Sequence, residues 1–137
     1  MVHALKKTRR LLIKGGLLIE VHDEPVSPTL ALQFRDKIFD VGRLQDNSGF
    51  ERVQQAAEAV EQVNKDELFE RVESQLMEYK IYIDSLDSFN DWLSRQWDTT
   101  YIETKSETYI RESLGIDGFA QRVIVSRRAH VSILKAL

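Results

Sequence analysis

Chemistry in this chain has to come from three histidines, the carboxylates and the hydroxyls, because cysteine is absent. His3, His22 and His130 lie far apart, and none stands in an H-x-x-x-H or H-E-x-x-H spacing that sets two imidazoles on one helical face for a metal. His22-Asp23-Glu24 is the one run in which a titratable base adjoins carboxylates. A metal or acid–base role there needs a defined geometry, and three neighbours on a loop ahead of Pro25 do not supply one. That run is therefore read as a solvated connection. His130 follows Arg127-Arg128 and is open to two readings, a phosphate contact or a half-buried helical residue. Gly15-Gly16 and Gly115-x-x-Gly118 match neither phosphate-binding glycine pattern, and no serine lies in a G-x-S-x-G elbow. The expectation is a protein without catalytic residues, metal or cofactor.

The basic residues are more informative. Lys6, Lys7, Arg9, Arg10 and Lys14 fall within nine residues, and Lys7, Arg10 and Lys14 follow one another at three- and four-residue steps. Arg122, Arg127, Arg128 and Lys135 occupy the other end of the chain. The formal charge is −3 overall, yet residues 1–14 carry +5, residues 51–98 carry −7 and residues 119–137 carry +4. Chain ends often lie close together, so folding is expected to merge both basic segments into one face. Such a face grips nucleic-acid backbone without reading bases. The nine residues just named are the expected nucleic-acid contacts. The acidic middle supports an alternative from another class. In that reading an interaction module of the immunity, antitoxin or chaperone-like kind masks a basic partner protein.

The elements expected to position these residues are helices. Apolar residues at Leu68, Phe69, Val72, Leu76, Tyr79 and Ile83 recur three or four apart, which predicts a central helix over 66–86, with Asn64 and Glu67 at its start. Residues 2–14 are read as a helix closed by Gly15, against a rival hairpin that turns at Gly15-Gly16 between 11–13 and 17–21. Further helices are expected over 29–45, 50–63, 88–97 and 107–114, with a turn at 46–49 and a loop or edge strand at 98–106. The last segment, 118–137, capped by Asp117, is read as helix, with Val123-Ile124-Val125 as a rival strand. Phe89, Trp92, Leu93 and Trp97 are expected in the core. With 137 residues, 42% of them apolar and 30% charged, the whole reads as one domain over 1–137. It is a mainly α, single-domain bundle of five or six helices, with a small hairpin near the N-terminus as the open alternative. No apolar run approaches a membrane span, no secretory signal is read, and the lack of cysteine fits a reducing compartment. A soluble, cytoplasmic protein is expected.

With basic segments KKTRR at 6–10 and RVIVSRR at 122–128 on an all-helical frame, the chain resembles the small helical subunit of CRISPR effector complexes. The likeness is one of architecture over nearly the whole chain. It implies a non-catalytic structural subunit of a nucleoprotein assembly, used in antiviral defence. Such a subunit contacts nucleic-acid backbone through scattered Lys and Arg and packs against other protein subunits.

Overall fold

Fifteen residues at the C-terminal end, Arg122–Ala136, form an extended strand to which three others pair. The computed structural model describes residues 1–46, 49–96, 98–115 and 119–137. The order of elements is α1 (Val2–Leu11), β1 (Leu17–Asp23), β2 (Thr29–Phe34), β3 (Lys37–Asp46), α2 (Gly49–Lys65), β4 (Phe69–Ile83), α3 (Leu86–Ser94), β5 (Thr100–Ile102), α4 (Thr104–Leu114) and β6 (Arg122–Ala136). The strand order is β1-β6-β2-β3-β5, with β4 also on β6. The expected mainly α bundle of five or six helices is thus corrected. Among the described residues the fold is mixed, with four helices and six strands. The expected turn residues Asn47 and Ser48, the expected core residue Trp97 and the expected cap Asp117 lie outside the described residues.

Three expected helices are strands, each for an identifiable reason. Over 29–45 the buried residues are Leu30, Leu32 and Leu44, the first two only two apart rather than three or four, and Arg35-Asp36 turns the chain between β2 and β3. Ile38, which helical spacing from Leu30 and Phe34 would carry inward, is 59% exposed. Along β4 only Phe69 and Ile83 are buried, so the helix-like spacing between them never faced a core. In β6 burial follows odd positions at Val123, Val125 and Ala129, and even positions at Ser132, Leu134 and Ala136, so no single alternation runs its length. The N-terminal hairpin is also corrected: α1 ends at Leu11, Gly15 takes a φ of +81°, and β1 pairs β6 instead of residues 11–13.

The chain forms two compact units, to both of which β4 and β6 contribute. The first holds Met1–Pro25, Phe50–Met77 and Arg128–Leu137. In it β1 and β6 run antiparallel from Leu17 opposite Lys135 to Asp23 opposite Ala129. Leu5 of α1 and Ala59, Val60 and Val63 of α2 pack with Phe69, Leu134 and Ala136. The amide of Gly15 donates to the Ala136 carbonyl at 2.8 Å, and that of Ala136 to the Gly16 carbonyl at 2.8 Å, which ties the α1–β1 turn to the end of β6.

The second unit holds Val26–Gly49 and Glu78–Arg127. Here Leu30 opposes Val125, Leu32 opposes Val123, and Leu44 of β3 opposes Ile102 of β5. These residues form its core with Ile83, Phe89 of α3 and Ile110 of α4. The Ser85 hydroxyl caps α3 by accepting from the Ser88 amide at 3.1 Å, and Gly115 closes α4. No helix among the described residues is long and apolar enough to cross a membrane.

Candidate functional site

Folding does bring the start of the chain to its end, but it spends many of the expected phosphate-binding cations on the way. In the first unit Lys6 pairs with Asp66 at 2.8 Å, Arg128 with Glu24 at 2.6 Å and Lys135 with Glu70 at 3.8 Å. Arg9 donates to the carbonyl of Leu12 at 3.1 Å and to an oxygen of Leu137. The hydrogen bond from Lys6, helped by one from Gln62, holds the Asp66 carboxyl below its ordinary value. This unit contains ten Lys and Arg against ten Asp and Glu, so its formal charges cancel. Lys7, Arg10 and Lys14 keep exposed side chains without an ion-pair partner among the described residues. Arg122 and Arg127 belong to the second unit, where Arg122 meets Asp84 at 3.1 Å and lies over the Tyr82 ring, and Arg127 donates to Gln96 at 3.0 Å. The carboxylates of the alternative masking surface are drawn on in the same way: Glu61 accepts from Arg71 at 2.6 Å, beside the Asp66 and Glu70 pairs.

The histidines converge through strand pairing. His22 and His130, 108 positions apart, are direct partners on β1 and β6, with rings stacked at 5.4 Å. Nδ1 of His22 donates to both oxygens of Glu20 at 2.9 and 3.0 Å, and Glu20 is buried. Ser132, buried opposite Glu20, meets the Ser74 hydroxyl at 3.3 Å, and Arg128 reaches Glu24 one step further along. Three cross-strand polar pairs therefore line one side of the β1–β6 ladder and satisfy a buried carboxylate. Asp23 points to the other side because neighbours on a strand alternate, so the His22-Asp23-Glu24 run never acts as one group. Among the described residues no group of three or more His, Asp and Glu side chains is arranged to hold a metal.

The second unit carries a different feature. The β2–β3 turn, the outer side of α4 and the segment leading into β6 enclose a shallow depression of about 470 Å³ lined by Phe34, Arg35, Asp36, Lys37, Phe39, Tyr109 and Phe119. Phe34 stacks on Phe119 at 4.8 Å and meets the edge of Phe39 at 5.5 Å. Phe119 is held there by its neighbours: the amide of Ala120 donates to the Ser113 carbonyl at 3.1 Å, and that of Gln121 to the Gln33 carbonyl at 2.8 Å. Phe119 is nevertheless 67% exposed, Phe39 49% and Tyr109 44%. Arg35 adopts φ of 55°, a left-handed conformation that costs a branched backbone position about 1 kcal/mol. Arg35 and Lys37 are exposed and have no ion-pair partner among the described residues. Four aromatic faces with two free cations suit a ligand of flat rings joined by anions.

None of the seven lining residues was among the nine cations expected from sequence. Phe34 and Phe39 fall within the helix expected over 29–45, and no local signal links them to Tyr109 or Phe119. The resemblance to a CRISPR effector subunit was one of all-helical architecture, which this fold does not have. Compared with known protein families, characterised proteins and solved structures, the chain matches none.

Proposed function

We propose that this protein binds single-stranded nucleic acid without acting on it, holding bases on the Phe34–Phe39–Phe119–Tyr109 cluster and phosphates on Arg35 and Lys37. The observation that carries the reading is the gathering of exposed rings around two unpaired cations in one depression. Its volume falls in the range of ligand sites, and every base offers a π-face, so the contact is indifferent to sequence. Lys7, Arg10 and Lys14 add long-range attraction for the same polyanion. The lack of cysteine suits work in a reducing cytoplasm.

Titrating labelled oligo-dT and oligo-U at low salt tests this. Each base stacked on an aromatic ring is worth about 1–3 kcal/mol, so Phe119→Ala weakens binding roughly 5- to 150-fold. Two neutralised phosphates give a salt slope of about −1.4, which Arg35→Gly with Lys37→Ala brings near zero. Affinity that ignores Phe119→Ala but vanishes on charge reversal at Lys7, Arg10 and Lys14 would move the site to α1.

A further inference from the structure

In the first unit the turn from α1 into β1 leaves apolar side chains outside the core. Val2, Leu5 and Leu12 lie on one side of α1 and pack with α2 and the end of β6. With about 3.6 residues per turn, Lys7, Arg10 and Leu11 fall on the opposite side. Leu11 is 79% exposed, Ile13 82% and Leu17 61%. The turn that carries them is fastened rather than frayed. Gly15 and Gly16 each share a 2.8 Å hydrogen bond with Ala136, and the Gly16 amide donates to the Ile13 carbonyl at 2.9 Å. Large aliphatic side chains held this far into water, on a fixed turn, have the character of an interaction site.

The charges around the turn single out the occupant. Residues 1–19 hold five Lys and Arg and no acid. Lys6 is answered by Asp66, and Lys135, opposite Leu17, by Glu70. Lys7, Arg10 and Lys14 are exposed and have no ion-pair partner among the described residues. Free cations and exposed aliphatic side chains therefore intermingle from Lys7 to Leu17, and a ligand has to offer anions and an apolar medium together. A nucleic-acid strand supplies phosphates but nothing for Leu11 and Ile13. A second copy of the chain supplies apolar contact but sets like charges against each other. An anionic bilayer supplies both, with negative headgroups at the level of the cations and acyl chains just beneath.

We propose that the α1–β1 turn docks this protein on anionic membrane surfaces, lying on the bilayer rather than spanning it. Leu11, Ile13 and Leu17 enter the headgroup layer, and Lys7, Arg10 and Lys14 rest on the charged groups of the lipids. Co-sedimentation of the full chain with two kinds of vesicle tests it, pure phosphatidylcholine and phosphatidylcholine with about 30% phosphatidylserine. Each cation at an anionic leaflet is worth about 5-fold in partitioning, so the charged vesicles are favoured roughly 100-fold. Lys7→Gln with Arg10→Gln and Lys14→Gln brings that ratio near one. Leu11→Ser with Ile13→Ser weakens binding to the charged vesicles by on the order of 10-fold or more, with an unchanged melting curve because both positions are exposed. A separate variant, Ile13→Trp, adds an emission component that shifts to the blue when charged vesicles are added, as an indole does on entering the interface. No pelleting with charged vesicles, equal binding to both kinds, or an unshifted Ile13→Trp emission would each overturn the proposal. Binding that ignores Leu11→Ser with Ile13→Ser, and that oligo-dT displaces, would also overturn it and make the turn a nucleic-acid contact instead.

Discussion

Glu20 is a carboxylate removed from water and held by a single imidazole, and that makes His22 the residue whose loss the fold should feel most sharply among its polar groups. Removing one member of a buried pair leaves the other uncompensated, so His22→Ala is expected to cost about 3 kcal/mol. Replacing both, as Glu20→Leu with His22→Phe, should recover most of it; chemical denaturation of the three variants checks the difference. Asp66 gives a second residue-level expectation. Its carboxyl titrates lower in the folded chain than in the unfolded one, because of Lys6 and Gln62. The contribution is therefore present above the ordinary carboxylate value near 3.8 and is lost as pH falls through the lowered one. In Lys6→Met, NMR titration of Asp66 should return toward that ordinary value. Arg35 stands against its own backbone preference, so Arg35→Gly should raise stability by up to about 1 kcal/mol while removing a cation from the depression.

Among the elements, β3 shows how one residue sets the geometry of a strand. The register between β2 and β3 shifts at Leu30/Ala31, opposite Gly42 and Asp40. Gly42 has φ of +139°, a conformation L side chains rarely adopt, and a Cβ built there would lie 2.7 Å from the Ser106 hydroxyl of α4. Gly42→Ala should therefore cost about 1–3 kcal/mol, and adding Ser106→Gly should relieve only the steric share, as thermal unfolding of the pair would show. The helices α2, α3 and α4 were readable because each carries its own signals: the alanine-rich run near Ala59, the helical spacing of Phe89, Trp92 and Leu93, the stop at Gly115. The strand β5 was open to the same reading through Thr100, Tyr101 and Ile102. β4 and β6 were not. The exposed middle of β4 bears Val72, Leu76 and Tyr79 at helical spacing without any core beneath them. Two of the strands that give β6 its form, β1 and β2, lie 89 to 118 residues earlier. Sequence distance also hid the candidate site, since Phe34 and Phe119 meet where β2 pairs β6 and Gln121 bonds to Gln33.

At the scale of the whole chain, folding disperses the charge asymmetry that the sequence displays. The N-terminal basic cluster, Arg128 and Lys135 share one unit with the acidic stretch 50–77, while Arg122 and Arg127 lie in the other, and ion pairs leave Lys7, Arg10 and Lys14 as the accessible remainder of the N-terminal cluster. What distinguishes the molecule is instead what stays uncovered: aromatic rings beside Arg35 and Lys37 in one unit, and an apolar sheet face in the other. The binding account rests on the location of the site, and backbone NMR during titration with oligo-dT reports location directly. Shifts and broadening confined to residues 33–39, Tyr109 and Phe119–Gln121 are the expected result. Perturbation of residues 7–14 with the aromatic cluster unmoved, or no perturbation at low salt, would contradict it.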